Sequence, residues 1–150
     1  MFEHIMVPVD LAEKESWAHG VAIACDLAQL YGAQLTLVSV SGGLQGKVSH
    51  SSEEYGRRLA LYADEIAAAR GVEVGSRSYD VPDPSVEVDH KLIEAIGDLQ
   101  ADLVVMASHR PGWVEYLVNS HGGRMARHAP VSVFVVRDPA EPHDKTQPSG

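Results

Sequence analysis

The sequence predicts a doubly wound α/β fold, one parallel β-sheet with helices on both faces, and three observations predict it. Short apolar runs of strand length alternate with segments of helical periodicity along the chain. Ile5–Val9 and Leu103–Met106 are apolar at consecutive positions, the pattern of strands buried on both faces. The 150 residues contain no internal repeat and no linker, so the alternation belongs to one domain.

The elements follow in order. Ile5-Met6-Val7-Pro8-Val9 is the first strand. Pro8 has no N–H to give a ladder and should mark the strand's end, with Asp10 directly after it. Trp17, Val21, Ala24, Ala28 and Tyr31 share one face of a helix that starts at Glu15 or Ser16 and stops at Gly32. Residues 34–40 form the second strand, and the Gly- and Ser-rich stretch 41–52 a loop. Tyr55, Leu59, Tyr62, Ile66 and Ala69 repeat the helical spacing, and Gly71 ends that helix. Residues 72–79 form a third strand whose polarity suits an edge. Asp83-Pro84-Ser85 opens a helix with Val88, Leu92, Ile96 and Leu99 facing inward. Leu103–Met106 is the fourth strand, and a fourth helix closes at Arg124–His128 because Pro130 cannot continue it. Residues 131–136 form the fifth strand, and the tail 138–150, with three prolines and no apolar period, is expected to be disordered.

Composition excludes several classes. A formal charge of −9 without a basic run argues against non-specific nucleic-acid or anionic-membrane binding. No apolar run approaches the ~20 residues of a membrane span. Met1-Phe2-Glu3-His4-Ile5 lacks the basic and apolar regions of a secretory signal, and one cysteine, Cys25, permits no internal disulfide. A cytoplasmic location is the expectation, with Cys25 a buried structural thiol.

In open parallel sheets, ligands bind beyond the carboxyl ends of the strands, where strand order reverses. Those ends carry Asp10, Val40-Ser41 and Met106-Ala107-Ser108. Asn119 and Ser120 are good N-cap residues, and the helix they open would present the N–H groups of His121, Gly122 and Gly123. Such a terminus attracts anions by hydrogen bonding and by its dipole. Gly122 and Gly123 cost on the order of 1 kcal/mol each relative to Ala, which suits close approach of a ligand to the backbone. Arg110 could add a bidentate phosphate contact. Plainer readings stand beside these. Asp10 could cap a turn, His109 and His121 could be ordinary loop histidines, Trp113 and Tyr116 could pack on their loop, and Glu53-Glu54 and Arg57-Arg58 form a solvated helical face. His4, His50, His90 and His143 show no metal-ligand spacing.

Three stretches make the sequence resemble the universal stress protein family over roughly residues 2–137. They are Ile5-Met6-Val7-Pro8-Val9-Asp10, then Val105-Met106-Ala107-Ser108-His109-Arg110-Pro111, then Arg127-His128-Ala129-Pro130 followed by Val133-Phe134-Val135-Val136-Arg137. ATP-binding members carry Gly-x-x-Gly, nine residues, then Gly-Ser or Gly-Thr. Here Ala107 stands at the first glycine, the second is lost with a one-residue shortening that leaves Arg110-Pro111, Asn119 stands at the third, and Ser120 matches the serine. The Ala-Ser-His-Arg-Pro version resembles small stand-alone members that keep the later Gly-Ser, against which only Asn119 is out of pattern. If that glycine serves a positive φ, Asn is the next best residue. If a phosphate touches its Cα, Asn119 either crowds the site or replaces a backbone contact with its amide.

The resemblance implies roles for a set of residues. Pro8, Val9 and Asp10 would line the nucleotide, with Asp10 near the ribose or phosphates, through a Mg²⁺ ion. Val40 would meet adenine through its backbone. Met106, Ala107, Ser108 and His109 would border the ribose and phosphates. Arg110, Asn119, Ser120 and His121 would lie at the phosphates. The expected protein is a flavodoxin-like domain over residues 1–137 with strand order 3-2-1-4-5. It would bind ATP and act as a regulatory stress-response module through ligand-dependent binding of a protein partner. A homodimer through strand 131–137, or a higher oligomer, is implied as well. No nucleophile with a matching motif accompanies the histidines, so the expectation is no dedicated enzyme and at most slow ATP hydrolysis. Two rivals remain: a dimeric interaction module of the same fold that binds no nucleotide, and an enzyme acting on a small phosphorylated metabolite.

Overall fold

The structure is a computed structural model that describes residues 1–11, 14–42, 52–82, 84–107 and 131–136. Its elements are β1 (His4–Pro8), α1 (Lys14–Tyr31), β2 (Gln34–Gly42), α2 (Ser52–Arg70), β3 (Val74–Val81), α3 (Pro84–Leu99), β4 (Leu103–Ala107) and β5 (Ser132–Val136). The strands form one sheet in the order β3-β2-β1-β4-β5, and all four pairings are parallel. The predicted class and strand order are therefore those observed. The fourth helix, the tail 138–150 and most of the loop 41–52 lie outside the described residues.

Side chains alternate between the faces. Ile5, Val7, Leu35, Leu37, Leu103 and Val105 join Trp17, Val21, Ala24 and Ala28 of α1 and Leu59 and Ala63 of α2 in one buried cluster. Met6, Val38, Val104 and Met106 join Leu92, Ala95 and Ile96 of α3 in the other. Ile5, Met6 and Val104 are 0% exposed, which is why their segments read as unbroken apolar runs. Crossovers of one hand that run in opposite directions along the sheet put their helices on opposite faces. The chain moves outward through α1 and α2 to β3, then returns over β2 and β1 through α3 to β4. The reversal therefore falls at β1.

The helix ends follow from backbone chemistry. Gly32 and Gly71 have φ of 65° and 70°, the left-handed conformation in which glycine has no Cβ to clash. Behind Gly32 the Ala33 N–H reaches back to the Ala28 carbonyl at 2.9 Å. α3 closes the same way with Gln100 at φ 55°, and the Ala101 N–H donates to the Ile96 carbonyl at 3.0 Å. Pro84 opens α3, where a missing N–H does no harm.

Two strands depart from the sequence expectation by two residues, and the other three by one residue at one or both ends. β2 runs on to Gly42 and β3 spans Val74–Val81 instead of 72–79, because the two pair continuously from Leu35↔Val74 to Gly42↔Val81. The partner strand, and not local composition, sets these ends. β3 is an outer strand with alternating half-exposed residues, as its polarity predicts. At the amino end of the sheet the Asp102 carboxylate accepts the backbone N–H groups of Glu3 at 3.0 Å and His4 at 3.1 Å. His4 Nε2 and Thr36 Oγ1 share a hydrogen bond of 2.7 Å. Together they fix β1 between β2 and β4 at the end opposite the expected site.

Candidate functional site

The three strand ladders around the centre stop at different heights. Pairing of β2 with β3 continues to Gly42↔Val81, and that of β4 with β5 to Ala107↔Val136. β1 pairs with β2 as far as Pro8↔Val38. Pairing of β1 with β4 stops lower, at Met6↔Val104. The β1–β4 ladder thus ends first, at the carboxyl side of the strand where the sheet's order reverses.

Pro8 supplies the cause. The backbone groups of successive strand residues point to opposite neighbours. The Glu3 carbonyl accepts from Gln34 and the Val9 N–H donates to Val38 at 2.8 Å, so odd residues of β1 face β2. The His4 carbonyl accepts from Asp102 of the β4 side at 3.0 Å, so even residues face β4. Pro8 is even and has no N–H to offer in that direction. The expectation that Pro8 marks the strand's end holds, and the ladder it ends is the one toward β4.

The same alternation gives Val40 an orientation. Val38 aims its carbonyl at Val9. Val40, two residues on, aims its backbone groups to the same side, beyond the last β1–β2 pair. Its side chain is half-buried against the α3 face, so the backbone is what it presents at the strand end. Met106 is 2% exposed and belongs to the α3-side core, so it too offers backbone there. Pro8 and Val9 are buried, and Asp10 is half-buried at the exit of β1. The fold therefore brings Pro8, Val9, Asp10, Val40, Met106 and Ala107 to the carboxyl ends of adjacent strands. Ser108, His109, Arg110, Asn119, Ser120 and His121 lie outside the described residues.

One residue at this end was read from the sequence only as part of a helical face. Tyr55, in the first turns of α2, is 6% exposed. Its hydroxyl shares a 2.7 Å hydrogen bond with Ser39 Oγ and accepts the Leu11 backbone N–H at 3.4 Å. It thus touches the residue after Asp10 and the residue before Val40. A tyrosine on a buried face needs a partner for its hydroxyl, and so does a serine inside a central strand. That mutual need was the available signal.

Among the described residues no group of three or more His, Cys, Asp or Glu side chains is placed to hold a metal ion. No helix among them is long and apolar enough to cross a membrane. The shifted ionisations lie on the helices and on β3. Burial raises Cys25 and Tyr62, which lie on α1 and α2. Tyr79 on β3 is also raised, first by burial, with Arg77 opposing. On the surface of α3, the hydrogen bond from Lys91 at 3.0 Å lowers Glu94 and raises Lys91.

The five parallel strands and their switch at β1 define a doubly wound α/β domain, and comparison with known proteins gives the family. The model of the universal stress protein family matches residues 1–137, and the chain belongs to that family. A Staphylococcus epidermidis protein assigned to the universal stress proteins is 26% identical over 152 aligned positions, covering 95% of this chain and 89% of that one. A crystal structure of a family protein from Burkholderia pseudomallei superposes with a TM-score of 0.63 at 26% identity, over 89% of this chain and 95% of that one. Two more distant structures share the fold. One is a universal stress protein in complex with cAMP, at a TM-score of 0.62 and 18% identity over 90% and 97% of the chains. The other is from Archaeoglobus fulgidus in complex with dAMP, at 0.61 and 16% over 89% and 96%.

The Cys25 thiol is 1% exposed and its ionisation is raised by burial from an ordinary 9.0. In the folded protein it should react with a disulfide reagent at pH 8 far more slowly than after denaturation. The sign for stability follows. A raised folded value contributes stability that is complete below pH 9 and lost as pH climbs through the folded value. Cys25→Ala should flatten that alkaline loss in denaturant titrations, and an unchanged slope would contradict a buried, protonated thiol.

Proposed function

We propose that this protein binds an adenine nucleotide, ATP with Mg²⁺, across the carboxyl ends of β1, β2 and β4, and acts as a regulatory module whose ligand alters its binding of a protein partner. The early stop of the β1–β4 ladder at Met6↔Val104 carries this reading, because beyond it no ladder pair engages the backbone of β1 with that of β4 at the switch strand. Relatives of the same fold solved with cAMP and dAMP support an adenine nucleotide as the guest. Val40 would hold the adenine through its backbone, as backbone amides and carbonyls fix orientation in small-molecule sites. Asp10, at the exit of β1, would sit by the ribose and phosphates. Mg²⁺ keeps several waters and takes other ligands from phosphates, so a single carboxylate such as Asp10 suits it. Ala107, Ser108, His109 and Arg110, with Asn119, Ser120 and His121, would hold the phosphates. The lone buried thiol, Cys25, fits a cytoplasmic setting, where ATP is abundant.

Titration calorimetry tests this with the full chain. Binding of ATP at millimolar concentration or below, with one site per chain, is expected. Asp10→Asn should weaken it about tenfold, the order of a lost charge-assisted contact. No heat from either ATP or AMP would overturn the reading.

A second observation favours self-association. β5 is an outer strand, and its Phe134 is 41% exposed. An apolar outer strand invites pairing with another copy. We propose a homodimer through residues 131–137, which would stand whether or not nucleotide binds. Sedimentation should give a dimer at micromolar concentration, and Phe134→Asp should shift it to monomer. A wild-type monomer would remove this part.

A further inference from the structure

We infer that Tyr55 is a positioning residue for the nucleoside end of the proposed site, joining the two strand exits that would hold it. The inference rests on the nucleotide reading above and adds a residue on a helix, outside the strand ends themselves.

Three observations carry it. The Tyr55 hydroxyl is bonded to Ser39 Oγ at 2.7 Å and accepts the Leu11 N–H at 3.4 Å. Leu11 lies directly after Asp10, and Ser39 directly before Val40, so one oxygen atom fixes the backbone next to both candidate contacts. Past Pro8↔Val38 no further register pair is formed between β1 and β2, so the ladder that aligns these strands lower down does not extend to Asp10 or Val40. The Tyr55 bonds bridge the strands above that point.

The ring places the hydroxyl there. Tyr55 is 6% exposed and belongs to the buried face of α2 with Leu59 and Ala63. Two side-chain torsions fixed by packing leave its oxygen little freedom. The chain between β1 and α1, by contrast, must turn out of the sheet immediately after Asp10. Tyr55 takes the Leu11 amide as partner, which satisfies a backbone donor at that turn. Without the hydroxyl, Ser39 and Leu11 each lose a partner. The Asp10 carboxylate and the Val40 backbone would then hold their separation only on average, and misplacement on the order of 1 Å is costly to a preorganised site.

Tyr55→Phe removes the oxygen and keeps the ring. Leu59→Val, one turn along the same helix, weakens the same core without touching either strand exit. Both variants should melt a few degrees below wild type. Tyr55→Phe should raise the Kd for both ATP and AMP, about five- to twentyfold, the scale of a lost hydrogen bond in a binding site. A loss with both is expected because the brace lies beside Val40 and the ribose side of Asp10, whose contacts the two nucleotides share. Leu59→Val should leave both constants within twofold of wild type. In Tyr55→Phe the Leu11 amide should also exchange with solvent faster, while amides of the central strands keep their protection.

The outcomes separate the two claims. If wild type binds neither nucleotide, the functional reading falls and this inference falls with it. If wild type binds and Tyr55→Phe binds equally well, the inference alone is overturned. It is also overturned if Tyr55→Phe and Leu59→Val raise Kd alike, since Tyr55 would then act only through stability. A loss confined to ATP would place its effect at the phosphates and contradict the positioning role.

Discussion

The strand β1 has no N–H at position 8, and its place in the sheet turns that local fact into a global one. β1 lies between strands reached by crossovers running in opposite directions, so its exit is the point where the helices change faces. The ladder toward β4 ends at Met6↔Val104, because Pro8 cannot donate to it. Pairing with β2 is untouched, because Val9 and not Pro8 points that way. One imino acid thus ends the ladder on one side of the strand and leaves the other intact.

The strand is held from two directions. At the amino end, Asp102 receives the N–H groups of Glu3 and His4, and His4 bonds Thr36, so β1 is pinned to β4 and β2 before it starts. At the carboxyl end, Tyr55 ties the turn after Asp10 to β2 from the α1/α2 face. Between the two lie Ile5, Met6 and Val7, almost wholly removed from water. A buried strand clamped at both ends suits a domain that must present backbone atoms at fixed spacing. Such a site needs few charged side chains, which is compatible with a formal charge of −9 on a protein proposed to hold an anion.

Much of the fold was legible because burial on both faces leaves an unmistakable trace. Ile5–Val9 and Leu103–Met106 are apolar throughout, and helices that cover one face repeat every three or four residues, as Trp17, Val21, Ala24 and Ala28 do. Gly32 and Gly71 punctuate the helices through a backbone conformation that glycine adopts without strain. The outer strand was less legible. β3 is half-exposed along most of its length, so its ends are set by pairing with β2 and nothing in its own composition marks them. At the site, Pro8, Val9, Asp10, Val40, Met106 and Ala107 could be named because strand ends can be located from strands. Tyr55 was missed in its polar role, since helical periodicity explains its ring and says nothing of its oxygen. Asp102 was missed too, because a carboxylate that caps backbone amides across the sheet resembles any residue before a strand. Ser108, His109, Arg110, Asn119, Ser120 and His121 stay readings of the sequence.

The most direct measurement is an amide chemical-shift titration of the isotope-labelled full chain with ATP and Mg²⁺. Shifts should concentrate at Asp10, Leu11, Val40 and Ala107, on the carboxyl side of the sheet. Amides of Glu3, Ala33 and Asp102, at the opposite end, should stay where they are. Shifts centred on that amino end, or on the groove between α1 and α2 lined by Ala18, Ala22 and Ile66, would contradict a nucleotide seat at the carboxyl strand ends.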